Sequence, residues 1–160
     1  MGKIADSEFN NNQAESDGGA IYINTASDIE LYDTKVLNNS TQNGSGGGIF
    51  AEGALTINGK NSSISQNTTG TFGGGLLIKS KGLIKYCTIY KNKALKNSGG
   101  GIMNDGNLEI KGGKIYSNWC NEFGGGINNE KAKSFLCEQI NNIVYENTAN
   151  KGGNNIYPEK

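Results

Sequence analysis

Residues 9–21 read Phe-Asn-Asn-Asn-Gln-Ala-Glu-Ser-Asp-Gly-Gly-Ala-Ile, and the fold turns on the fact that this stretch recurs. Its second half, Gly18-Gly19-Ala20-Ile21, returns as Gly46-Gly47-Gly48-Ile49, Gly73-Gly74-Gly75-Leu76, Gly99-Gly100-Gly101-Ile102 and Gly124-Gly125-Gly126-Ile127. Gly152-Gly153-Asn154-Asn155-Ile156 reads as a sixth copy with one extra residue. First glycines at 18, 46, 73, 99, 124 and 152 are spaced by 28, 27, 26, 25 and 28 residues. The first half of the stretch keeps step. An apolar residue stands three before an asparagine in Phe9/Asn12, Val36/Asn39, Ile64/Asn67, Ile89/Asn92, Ile115/Asn118 and Val144/Asn147. Each asparagine precedes its glycine doublet by five to seven positions. Two motifs in six-fold register define a repeat of roughly 27 residues.

A looser apolar pair fills the rest of each unit: Ile29/Leu31, Leu55/Ile57 and Leu108/Ile110, with Leu83/Ile84 and Phe135/Leu136 as degenerate versions. Each unit thus offers three short segments of approximate period 2, separated by Gly/Asn/Ser/Lys turns. No 3.6-residue period is sustained, which excludes helical repeats. A propeller blade needs about 40 residues and four strands, and the spacing of a leucine-rich repeat is absent. The pattern predicts an all-β chain: a right-handed parallel β-helix of pectate-lyase-like architecture, with about six coils of 25–29 residues filling 1–160 as a single domain. At about 4.8 Å per coil the stack would be roughly 29 Å long.

One coil cannot bury its apolar side chains alone, so the columns must stack like on like. Ile21, Ile49, Leu76, Ile102, Ile127 and Ile156 should point inward, as should Phe9, Val36, Ile64, Ile89, Ile115 and Val144. Asn12, Asn39, Asn67, Asn92, Asn118 and Asn147 should form a ladder, each amide bonding to its counterpart one coil away; ordinary turn chemistry is the plainer alternative. The glycine doublets should supply positive φ or a close backbone approach at the next corner.

Composition narrows the function. A chain with 25 glycines and only 34% hydrophobic residues could be disordered, but its apolar residues are periodic and it holds a single proline. Fifteen acidic residues balance fifteen basic ones, all lysine, so no basic patch with bidentate arginine speaks for nucleic acid. Without histidine, imidazole acid–base catalysis and histidine metal sites are excluded. Cys87, Cys120 and Cys137 show no metal or redox spacing, and no cofactor is implied. They read as small buried thiols, with a Cys120–Cys137 bridge as the alternative.

Phe9-x-x-Asn12 followed by Gly18-Gly19-Ala20-Ile21 resembles the paired Phe-x-x-Asn and Gly-Gly-Ala-Ile/Leu/Val motifs of polymorphic outer-membrane protein repeats, the chlamydial-type autotransporter passengers. Later units relax phenylalanine to valine or isoleucine and alanine to glycine. The resemblance implies a secreted or surface-displayed β-helix associated with adhesion, and supplies no catalytic residues. No apolar leader opens the chain and no segment could span a bilayer, so a fragment or module of a larger surface protein is expected.

Two outward columns are candidate sites. Tyr22, Phe50, Leu77 and Met103, continued by Asn128 and Tyr157, each follow an inward aliphatic by one residue. Alternation would send them out as a stripe for a host glycan, a host protein, or neighbouring domains of the same longer chain. A covered face is the competing reading. Two residues further on lie Asn24, Glu52, Lys79, Asp105, Glu130 and Glu159. Asp105 and Glu130 on adjacent coils would be the carboxylate pair of a polysaccharide lyase or hydrolase, or of its carbohydrate-binding remnant. Lys79 interrupts that column, so a non-catalytic adhesive scaffold at the cell surface is the main expectation. The short ends leave strand edges uncapped, which predicts marginal stability or end-to-end self-association.

Overall fold

The computed structural model describes residues 1–158. Each coil contributes one strand to each of four six-stranded sheets. The first sheet holds Gly2–Ala5, Asp28–Tyr32, Ala54–Asn58, Lys81–Ile84, Asn107–Ile110 and Ser134–Cys137. The second holds Glu8–Asn10, Lys35–Leu37, Ser63–Ser65, Thr88–Tyr90, Lys114–Tyr116 and Val144–Tyr145. The third is built from Gln13–Ala14, Ser40–Thr41, Thr68–Thr69, Lys93–Ala94, Trp119–Cys120 and Thr148–Ala149. The fourth is built from Ile21–Ile23, Ile49–Ala51, Leu76–Ile78, Ile102–Asn104, Ile127–Asn128 and Ile156–Tyr157. Every strand pairs in parallel with its equivalent one coil on, as in Ile64 with Ile89 and Leu76 with Ile102. The chain is a six-coil parallel β-solenoid.

Four strands per coil, not three, is the first difference from the sequence reading. The third sheet escaped it because its inward residues are small: Ala14, Thr41, Thr69, Ala94, Cys120 and Ala149 give no apolar alternation. The degenerate pairs also shift. Gly82 and Ile84, not Leu83 and Ile84, align with Leu55 and Ile57. A Cβ on Gly82 would lie 2.5 Å from Ile78 Cδ1, so the isoleucine fills the missing side chain's space. In the last coil Phe135 and Cys137 align with Leu108 and Ile110, and Leu136 turns outward to 55% exposure. The last glycine motif is not longer than the others. Gly153, Asn154 and Asn155 occupy the register of Gly124, Gly125 and Gly126, and Gly152 bridges to Phe123. The extra length of this coil is shared by two connections, 129–133 before its first-sheet strand and 138–143 after it, the second of which holds a single helical turn, Ile140–Ile143.

The two predicted columns form the core. Ile49, Leu76, Ile102 and Ile127 are wholly buried, and Val36, Ile64, Ile89, Ile115 and Val144 nearly so; Ile21, Phe9 and Ile156 at the ends are half-exposed. The glycine doublets divide the two roles proposed for them. The first glycine is left-handed in every coil, with φ from 61° to 72°. The second makes the close approach: a Cβ on Gly74 would lie 2.6 Å from the Lys93 backbone of the next coil.

The asparagine ladder is present and buried from Asn39 to Asn147. Asn67 shows the unit. Its backbone N–H and its Nδ2 both donate to Asn92 Oδ1 at 3.0 Å, and Nδ2 also donates to the Val36 carbonyl of the preceding coil. Asn12, Asn39, Asn92 and Asn118 donate to the next Oδ1 in the same paired fashion. Each interior side chain therefore satisfies both amide protons and receives two, which is what burial of an amide requires. The residue before each ladder asparagine is left-handed: Asn11, Asn38, Gln66, Lys91, Ser117 and Glu146 have φ from 51° to 57°. That corner between the second and third sheets swings the asparagine inward.

Candidate binding surface

Tyr22, Phe50, Leu77, Met103, Asn128 and Tyr157 do form one aligned column on the outer side of the fourth sheet. The Tyr22 and Phe50 rings stack with centroids 5.4 Å apart. The column is nevertheless not an open stripe. Phe50, Leu77 and Met103 are only 3–4% exposed, and Phe72 packs against them. Phe72, from the loop entering Leu76–Ile78, lies against the column, so these outward apolar groups are buried as a satellite core. Tyr22, at 51%, is the most open member of the column and Tyr157 is partly exposed; the Tyr22 hydroxyl already donates to Glu52 Oε2 at 2.6 Å. That bond raises the pKa of Tyr22 and lowers that of Glu52.

The carboxylate column is aligned from Asn24 to Asp105, each residue following a paired fourth-sheet strand, while Glu130 N–H turns back to donate to Asn128 Oδ1 at 3.0 Å. Lys79 bonds to Glu52 at 3.5 Å and lies over the Phe50 ring, 4.8 Å from its centroid. Burial pushes the Asp105 carboxyl above the ordinary range, and Lys131 and Lys79 oppose the shift. Asp105 Oδ1 is buried without a hydrogen-bond partner. Glu159 lies outside the described residues.

Cys87 and Cys120 follow the plain reading of buried thiols, whereas Cys137 is only half-buried. All three cysteines are unbonded, and Cys120 and Cys137 sit on different sheets, the third and the first, so the alternative bridge does not form. Cys87, wholly buried beside the core columns, has its thiol pushed up to about 12 by desolvation.

An aromatic row that the sequence reading missed lies on the outer face of the second sheet. Tyr90, Tyr116 and Tyr145 align across three consecutive coils, with centroids 5.4 and 5.5 Å apart and ring planes within 7° of parallel. All three rings are partly exposed. Burial against its neighbours raises the pKa of the central Tyr116 hydroxyl, and the flanking tyrosines add to the shift. Each tyrosine directly follows an inward Ile89, Ile115 or Val144, so the alternation rule could have found the row. The signal is confined to three coils, because Asn10, Leu37 and Ser65 hold the same column in the first three. Trp119, outward on the third sheet between Lys93 and Thr148 in register, is three residues beyond Tyr116 and extends the aromatic surface around the corner.

The ring faces are spent on one another. What the row offers to solvent is ring edges and a line of hydroxyls at a repeat of about 5 Å, the strand spacing. That is a surface for docking and hydrogen bonding rather than for inserting a sugar between two rings.

No curated protein and no solved structure matches the chain. Residues 6–24 match the Chlamydia polymorphic membrane protein repeat, a span that contains both Phe9-x-x-Asn12 and Gly18-Gly19-Ala20-Ile21. The first coil is thus similar over these residues to the Chlamydia polymorphic membrane protein repeat, the family that those two motifs resemble.

Proposed function

We propose that this chain is a non-catalytic, surface-displayed adhesive module: a right-handed β-helix of pectate-lyase-like cross-section that presents the tyrosine row to a host protein. The right hand follows from the strong preference of parallel strand-to-strand crossovers for that sense. The display and adhesion follow from the family resemblance of the first coil. The observation that carries the reading is the row Tyr90–Tyr116–Tyr145, three partly exposed aromatic side chains held rigid by mutual stacking. Tyrosine is enriched at protein interfaces because it offers a large apolar body and a polar tip at low cost in side-chain entropy. Stacking fixes the rotamers beforehand and lowers that cost further. Trp119 and Lys93 would lie at the rim of such an interface.

Cell- and matrix-binding of the unaltered protein, measured beside a glycan array, tests the proposal. Phenylalanine at all three tyrosines removes the hydroxyl line and keeps the stack, and Tyr116→Ala breaks the row. Loss of binding to a protein target in both variants supports the reading. Unchanged binding by Tyr116→Ala refutes the row as the functional face, and binding confined to a glycan replaces the protein partner.

A further inference from the structure

We infer that Asn154 and Asn155 are a chemical cap that closes one corner of the last coil, so that the solenoid accepts a further coil only at its N-terminal edge. The argument rests on what these two side chains replace. In the five preceding coils the two positions are Gly19 and Ala20, Gly47 and Gly48, Gly74 and Gly75, Gly100 and Gly101, and Gly125 and Gly126.

The space above each of these positions belongs to the next coil. A Cβ on Gly100 would lie 2.5 Å from the Trp119 carbonyl oxygen, and one on Gly125 would overlap the Thr148 carbonyl. These are the third-sheet carbonyls of the following coil. A Cβ on Gly101 would lie 3.1 Å from the Asn118 amide, the next rung of the ladder. Asn154 carries its side chain into the first of these spaces, and its Oδ1 accepts from Ala149 N–H at 2.9 Å. In a parallel ladder that amide would donate to the carbonyl of the next coil. Asn155 Oδ1 accepts from both Asn147 N–H and Asn147 Nδ2 at 3.1 Å. This is the bond pair that Asn147 Oδ1 receives from Asn118 one coil below.

One side chain therefore stands in for a main-chain carbonyl and the other for a ladder rung. Asn155 blocks a seventh coil through its amide, since Ala20 shows that a Cβ alone is tolerated there. Asn154 blocks through Cβ itself, which no rotamer can move. The rest of that end opens into a hollow of about 680 Å³ lined by Phe135, Ile140, Val144 and Ile156, so closure is confined to the ladder corner. The opposite edge has no such device. The Asn12 side chain donates to Asn39 and its Oδ1 accepts from nothing among the described residues, and Ile4, Phe9 and Ile21 are only half-covered. It fits a coil of the same apolar-x-x-Asn kind, whose asparagine would donate to Asn12 Oδ1. Because each copy has a receptive edge and a closed one, copies do not add head to tail. That corrects the end-to-end stacking expected from uncapped ends.

Sedimentation velocity over a wide concentration range tests this with three proteins. The unaltered chain should show no open-ended growth. N154G/N155G restores the regular glycine motif and lets Asn147 and Ala149 of one copy donate to Asn12 and Gln13 of another, so its sedimentation should rise steadily with concentration. Asn154→Ala keeps the blocking Cβ and should not grow. Hydrogen exchange on the unaltered protein gives an answer that no variant's folding can obscure. The Ala149 and Asn147 amides should exchange at least about tenfold more slowly than exposed turn amides. Open-ended growth of the unaltered chain, a folded double-glycine variant that stays the same size, or solvent-rate exchange at both amides would overturn the inference.

Discussion

Replacing Asn92 by alanine should be among the most destabilising changes the chain can suffer, and the ladder geometry sets the magnitude. Asn92 is fully buried at the middle of the stack. Its side chain donates to Asn118 Oδ1 at 2.9 Å and to the Ile64 carbonyl at 3.0 Å. It accepts from the Asn67 N–H and from Asn67 Nδ2, both at 3.0 Å. Alanine removes all four bonds but does not orphan every partner. Asn118 Oδ1 keeps the Asn92 backbone N–H, and Asn67 Nδ2 keeps the Val36 carbonyl through its other proton. The Ile64 carbonyl keeps the Tyr90 N–H of the parallel ladder, so two buried polar groups are left without partners: the Asn67 N–H and one Asn67 amide proton. At about 1–3 kcal/mol for each orphan, the loss is about 2–6 kcal/mol. Domains of this kind have roughly 5–15 kcal/mol in all. Asn12→Ala is the matched control. Asn12 is exposed, and Asn39 Oδ1 still receives the Asn12 backbone N–H, so only one bond at about 0.5–1.5 kcal/mol is lost. Urea unfolding followed by circular dichroism compares the two through their midpoints at a common slope. If Asn92→Ala lies within about 1 kcal/mol of Asn12→Ala, the ladder is not a satisfied buried network and this accounting is wrong.

The two adjacent glycines of one corner should respond differently to alanine. Gly74→Ala drives a Cβ into the Lys93 backbone at 2.6 Å and should lower the thermal midpoint severely, whereas Gly75→Ala meets the Gly101 carbonyl at 2.7 Å, a contact of the kind that Ala20 accommodates in the first coil, and should cost less, about 1–3 kcal/mol. Similar midpoints for the two would refute the division of roles within the doublet. Asp105→Asn should stabilise the chain at neutral pH. Burial raises the folded-state pKa of Asp105, so its contribution is favourable in acid and is lost as pH rises from the ordinary carboxylate value through the raised one. Asparagine removes that loss, and a urea midpoint that does not rise at neutral pH would count against it.

The legible parts of the fold were those in which a side chain must repeat because it stacks on itself. The isoleucine column from Ile49 to Ile127 and the ladder from Asn39 to Asn147 are of this kind, since burial leaves each position a single solution. The third sheet was not legible. Its inward Thr69, Ala94 and Cys120 fill a narrow space where small size matters more than hydrophobicity. The stripe of Phe50, Leu77 and Met103 was placed correctly in register and wrongly in exposure, because alternation reports which side of a sheet a residue occupies but not what lies over it. Phe72 stands just before the glycine motif of its coil, as Phe123 does two coils on, but Ser45 and Ser98 hold the same place in the coils on either side of it, so the position carried no continuous apolar signal.

The same logic says where function must be sought in this molecule. A side chain inside the coil is bound to its equivalents above and below, so the inner columns vary little from Val36 to Val144 and carry almost no information beyond the scaffold. An outer side chain meets its equivalents only at the edges, and the column Asn10, Leu37, Ser65, Tyr90, Tyr116, Tyr145 changes character halfway along the stack without disturbing the backbone pairing beneath it. Stacking the rings costs nothing in register, because the strands already hold them about 5 Å apart, close to the separation that parallel aromatic rings prefer. The tyrosine row is therefore a property of three particular coils and not of the repeat. A partner that reads it would bind one half of this solenoid and ignore the other, which the Tyr116→Ala variant and the first three coils, left unchanged in it, can separate.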